Sequence, residues 1–134
     1  MSGIIGSAGS KSGVIGTTEL DYEEGTFTVT GTNVVSQGCR YTKLGKFIHI
    51  TLKFVASGGT MGSVVGGLPI TSAGGVVSES PGGGAVVYQN ESAGDSWQVY
   101  VNASTTSFAF YAGSTSKVLT AGAACHATFT YIAA

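Results

Sequence analysis

The chain has 134 residues, a net charge of −1 and only 10% charged residues, against about 25% in typical soluble domains. That balance excludes the basic footprint of a nucleic-acid binder and the high-charge signature of disorder, and no apolar run approaches the ~18 residues of a membrane-spanning helix. Glycine occurs 22 times, more than twice its usual share of about 7%, and with abundant Thr, Ser, Val and Ala it predicts one domain of short strands and tight turns.

Residues 1–18, MSGIIGSAGSKSGVIGTT, are Gly/Ser-rich and stand apart as an N-terminal arm, leaving 19–134 as the folded domain. Ser2-Gly3-Ile4-Ile5-Gly6 recurs as Ser12-Gly13-Val14-Ile15-Gly16. The pairs Ile4-Ile5 and Val14-Ile15 are apolar enough to need a surface, either on their own domain or on another subunit or protein. A single Lys11 and no continuous apolar block argue against a secretory signal.

Glu19–Gly25, ELDYEEG, carries four of the seven acidic residues and leads into Thr26–Gly31, TFTVTG, whose alternation predicts a short strand. Asn33 begins a turn or loop, and Cys39 and Tyr41 share a face beyond it. The clearest strand follows within Arg40–Ala56: Ile48, Ile50, Leu52 and Phe54 fall on one face, Phe47, His49, Thr51, Lys53 and Val55 on the other. Ser57-Gly58-Gly59 is a turn, Met61–Val65 a short strand, and Gly66-Gly67-Leu68-Pro69 its end. Val76-Val77 and Ala85–Gln89 are expected as strands flanking a Ser80-Pro81-Gly82-Gly83-Gly84 loop. Ser96–Ala103, Ser107–Ala112, Lys117–Thr120 and Cys125–Ile132 complete the set. Trp97, Val99, Phe108 and Phe129 are expected opposite Ile50, Leu52 and Phe54 in the core. No helical stripe appears, and eight or nine short strands point to an all-β fold: an antiparallel β-sandwich, jelly-roll-like, with a short extended N-terminal arm.

Few residues suggest chemistry. Cys39 and Cys125 are too few for a disulfide framework and are read as free, buried thiols. Cys125 and His126 should point to opposite faces of one strand, and the paired spacings of a zinc site do not occur. Glu79, Glu91 and Asp95 lie in expected loops, so no carboxylate pair is selected for glycoside cleavage. No G-x-S-x-G elbow exists, and Ser10-Lys11-Ser12 lacks the glycine of a phosphate loop. The reading is therefore no enzyme, no cofactor and no metal. The acidic cluster lacks EF-hand spacing. Asp21, Glu23 and Glu24 are instead candidates for ion pairs with Arg40 and Lys43, within or between subunits. Tyr88, Tyr100 and Tyr111 are candidate exposed aromatics, consistent with a homotrimer.

ELDYEEGTFT at 19–28 and GCRYTKLGKFIHITLKF at 38–54 resemble a module of bacteriophage tail fibres and other virion surface proteins, in which "YEEGTFTP" leads to "GxYTKIGxxVxV". Gly67–Ser72, GLPITS, is similar to the family's "SGLPFTS" turn, and Thr130–Ala134 to its last strand. Val29 departs from the family, which often has Pro there. The resemblance spans about residue 12 to the end. It implies a β-sandwich, usually trimeric, with a structural or host-binding role and no enzymatic activity. A single module with a short arm and no shaft fits a trimeric capsid decoration (cement) protein on the virion surface. Made in the host cytoplasm, it would attach to the major capsid protein or a tail protein through Ile4, Ile5, Val14 and Ile15. The alternative is a tail fibre or spike tip, or an adaptor, that binds a host-surface receptor or glycan. Neither reading involves nucleic acid or membrane.

Overall fold

The structure is a computed structural model that describes residues 21–74, 81–91 and 94–134. Among the described residues nine strands form: β1 Tyr22–Thr26, β2 Val34–Leu44, β3 Phe47–Ala56, β4 Val64–Val65, β5 Gly82–Gln89, β6 Gln98–Val101, β7 Phe108–Ala112, β8 Thr115–Lys117 and β9 Ala124–Ile132. All pair antiparallel, in the order β1-β2-β3-β9-β5-β6-β7-β4 with β8 on β7, and no helix occurs among the described residues.

Alternation in the sequence becomes one-sided burial. In β3, Ile48, Ile50, Leu52 and Phe54 are at most 3% exposed, while Phe47, His49, Thr51 and Lys53 face solvent. Cys125, Ala127, Phe129 and Tyr131 form the matching inner face of β9. Val99 and Val101 of β6, Trp97 just before it, and Phe108 and Phe110 of β7 join the same core. Both cysteines are buried and free.

Ring contacts require the sheet to curl. The Phe54 and Phe110 rings lie 5.8 Å apart, although β3 and β7 are four strands apart in the sheet order. In a flat sheet that separation would be about 19 Å. Phe108 and Phe129 are likewise 5.3 Å apart across three steps. The inner faces therefore close over one another as a curled half-barrel, and the core fills its concave side. At one end the chain leaving β1 reaches the chain leaving β4. There Thr30 donates to the Gly66 carbonyl at 3.0 Å and Gly66 to the Thr30 carbonyl at 2.7 Å.

Four expected elements differ. The first strand lies at Tyr22–Thr26, inside the acidic segment, and not at 26–31. Its partner β2 supplies eleven residues against which Tyr22–Thr26 pair in unbroken register. Val29 turns inward with Phe27 beside the core instead of continuing a ladder. The turn or loop expected at Asn33 is present as a single turn, with Asn33 at φ 55° and its side-chain amide bonded to the Thr60 carbonyl at 2.9 Å. Only Val64–Val65 of 61–65 forms strand, and the strand expected at 117–120 ends at Lys117. Val76-Val77 and the arm lie outside the described residues.

Gly82-Gly83-Gly84 is the largest departure, since it is strand and not loop. These glycines sit between β9 and β6, opposite Tyr131, Thr130 and Phe129. An added Cβ would meet Tyr131 Cβ at 2.5 Å from Gly82 and Phe129 Cβ at 2.5 Å from Gly84. The missing side chains let β5 pass close to two large core residues, a use of glycine in strands that carries no periodic signal.

Burial also sets a pH response. Enclosure in the core pushes the Cys125 thiol from 9.0 up to about 12. It pushes the Tyr131 phenol from 10.0 up to about 12; the Tyr131 hydroxyl donates to the Ile70 carbonyl at 2.8 Å. Both groups are neutral when folded, so the unfolded chain loses these protons first. The part of the stability linked to these groups is intact below about pH 9 and should fall between pH 9 and 12, by about 4 kcal/mol for Cys125 alone. Denaturant titrations across that range should show the loss, and Cys125→Ala should flatten it. An equal slope in the variant would refute the assignment to this thiol.

Candidate functional site

The convex side of the sheet carries side chains in rows, because directly paired residues project to the same face. At the end nearest the β2–β3 turn, Tyr22 pairs with Leu44, Leu44 with Phe47 and Phe47 with Ile132. These four are 57%, 45%, 59% and 42% exposed. They form one apolar row across four strands. Gly45, at φ 59°, supplies the left-handed turn that holds Leu44 against Phe47.

The next rows are polar. Glu24, Thr42, His49 and Thr130 pair in sequence across β1, β2, β3 and β9. Beyond them come Thr26, Arg40, Thr51 and Thr128, ending on Ala85 of β5. A last row runs Gly38, Lys53, His126, Tyr88. His49 is held by hydroxyls on both sides, Nδ1 at 3.3 Å from Thr130 and Nε2 at 3.4 Å from Thr128. The Tyr88 and His126 rings lie 5.2 Å apart.

Two open cavities lie on this face. One, of about 510 Å³, crosses β2, β3, β9 and β5 and is lined by Arg40, Thr51, Lys53, Tyr88, His126 and Thr128 among others. The second, of about 430 Å³, runs over β1, β2 and β3 beside Glu24, Thr42 and His49. Arg40 and Thr51 border both, so the two form one groove.

The ion-pair candidates separate into distinct roles. Lys43 Nζ contacts Asp21 Oδ2 at 2.7 Å within the chain. Tyr41 donates its hydroxyl to Glu23, and Tyr22 donates to Glu24 at 2.8 Å. Each bond to a carboxylate raises the phenol above its ordinary value, with charge and burial adding to the effect. Arg40 has no carboxylate within ion-pair distance among the described residues. Ile4, Ile5, Val14 and Ile15 lie outside them. Cys125 is buried while His126 faces outward, as alternation requires, and no three potential metal ligands converge among the described residues.

No family model, curated protein or solved structure matches this chain. What the outer face can do follows from its own groups. Arg40 and Lys53 offer positive charge, the threonines offer hydroxyls that donate and accept, and Tyr88, 51% exposed, offers a ring. Sequence reading placed His49, Thr51 and Lys53 together on one face of β3. It missed His126, Thr128 and Tyr88 as their neighbours, because β9 pairs with β3, and β5 with β9, across more than thirty residues of chain.

Proposed function

We propose that this chain is a bacteriophage virion structural protein: a homotrimeric, jelly-roll-like decoration (cement) protein on the virion surface, made in the host cytoplasm. Residues 1–18 attach it to the major capsid protein or a tail protein. The resemblance at 19–28 and 38–54 supports the virion assignment. The observation that carries self-assembly is the apolar row Tyr22–Leu44–Phe47–Ile132, open to solvent on the single chain. Contiguous exposed apolar surface of this kind marks an interaction site. Closed symmetry among copies is the common way to cover it.

Light scattering of the purified protein should report a trimer, and Phe47→Ser should shift it toward monomer without loss of strand content. A monodisperse monomer at micromolar concentration refutes the trimer. Deleting residues 1–16 should leave the trimer folded and abolish its incorporation into particles. Incorporation at full occupancy would refute attachment through the arm. The second reading, a fibre tip or adaptor that contacts a host-surface ligand, is favoured by one feature, the groove that holds Arg40 and Lys53.

A further inference from the structure

We propose that the groove over β2, β3, β9 and β5 binds an acidic saccharide. Arg40 and Lys53 take its carboxylates, Thr51 and Thr128 its hydroxyls, and Tyr88 the apolar face of a sugar ring.

The cations come first. Six basic and seven acidic residues make charge scarce in this chain. Of the described cations, Lys43 and Lys117 are paired, with Asp21 and Asp95. Arg40 and Lys53 have no such partner among the described residues, and both line the same cavity. Lys53 pairs with Gly38 and Arg40 with Thr51, so the two cations are diagonal neighbours, roughly 7–8 Å apart at the backbone. Like charges at this spacing repel one another weakly. A bound anion turns that arrangement into a binding contribution.

The neighbours narrow the class. Thr51 and Thr128 sit directly opposite one another beside Arg40. Threonine is stiff at χ1, and both lie on interior strands; the Thr128 hydroxyl is also held by donating to the Ile50 carbonyl at 3.2 Å, which leaves its oxygen to accept from a ligand. Tyr88 stands at the groove wall against His126. Charge, hydroxyls and an aromatic ring together match a polyol that bears carboxylates.

Competing ligands fit less well. A continuous polyanion such as nucleic acid would meet Glu24 at the far end of the joined groove. An acidic peptide would gain most by adding a strand at a sheet edge. Here β3 pairs on both sides with β2 and β9, and β9 with β3 and β5, so their backbone groups are already used. The volume, about 510 Å³, lies within the ~300–1,000 Å³ of small-molecule sites.

Binding is measured on the isolated protein, so its outcome is independent of whether the chain decorates a virion. Calorimetric titrations would use trigalacturonate, sialyllactose, the methyl ester of trigalacturonate and a triglutamate peptide. At least one acidic saccharide should bind, the neutral ester about tenfold or more weaker, and the peptide not at all. Arg40→Gln and Lys53→Gln should each weaken binding about tenfold. Both side chains face solvent, so circular dichroism should stay unchanged. Lys46→Gln, in the turn outside the groove, should bind as the parent does. The proposal fails if neither acidic saccharide binds at millimolar concentration, or if ester and acid bind alike. It also fails if the peptide binds equally well, or if Arg40→Gln and Lys53→Gln bind as tightly as the parent protein.

Discussion

Phe110→Ala should lose roughly 3–5 kcal/mol of folding stability, read from urea denaturation at neutral pH. Phe110 is fully buried and its ring meets those of Phe54 at 5.8 Å, Trp97 at 6.2 Å and Phe108 at 5.6 Å. Those partners come from β3, from the approach to β6 and from β7 itself, so the ring sits where the curled sheet closes on itself. Truncation removes both the transfer energy of the ring and its contacts with three aromatic neighbours. Strands anchored on both sides collapse poorly into the space left behind. Against a total stability of about 5–15 kcal/mol for a domain, the variant should unfold well below the parent temperature. A loss under about 1 kcal/mol would mean that the sheet does not close over this ring.

Gly84→Ala should be strongly damaging for a single added methyl, at about 3 kcal/mol or more. The new Cβ would lie 2.5 Å from Phe129 Cβ and 2.6 Å from Phe129 Cα, and closer still to the Thr128 carbonyl oxygen. These are atoms of β9, which is paired on its other side with β3 along nearly its whole length. The obstacle is backbone in the middle of the sheet and has nowhere to move. Gly38→Ala provides the contrast: Gly38 is in β2, exposed, with nothing within 4 Å of an added Cβ. That change should be neutral or stabilise by up to about 1 kcal/mol. Equal losses in the two variants would show that strand propensity, and not the approach of β5 to β9, governs both positions.

Much of the fold was legible where a strand has one wet and one dry face. The stretch from Ile48 to Phe54 and the stretch from Cys125 to Tyr131 each declare their buried side by alternation, and both bury the expected residues. Trp97, Val99, Phe108 and Phe129 were legible as core for the same reason. Alternation failed where it was absent or misleading. Thr26–Gly31 alternates, yet Val29 is drawn into the core beyond the end of β1. Gly82–Gly84 has no side chains from which a period could be read. The outer-face groove was half legible: His49, Thr51 and Lys53 could be grouped on one strand, but not with His126 and Tyr88.

By itself, then, the sequence determined the all-β class, the inner faces of the long strands, the burial of both thiols and the acidic segment at the start of the domain. These are local properties, set by a two-residue period and by the transfer of apolar side chains from water. Only the tertiary structure decided which strands are neighbours, where each register falls and that the sheet curls. Phe47 meets Ile132 and Lys53 meets His126 across more than seventy residues of chain. Such pairings are chosen by the sum of ladder hydrogen bonds and core packing over the whole sheet, a quantity that no single segment carries. The apolar row from Tyr22 to Ile132 and the groove around Arg40 and Lys53 are products of that register, each assembled from strands that separately look ordinary.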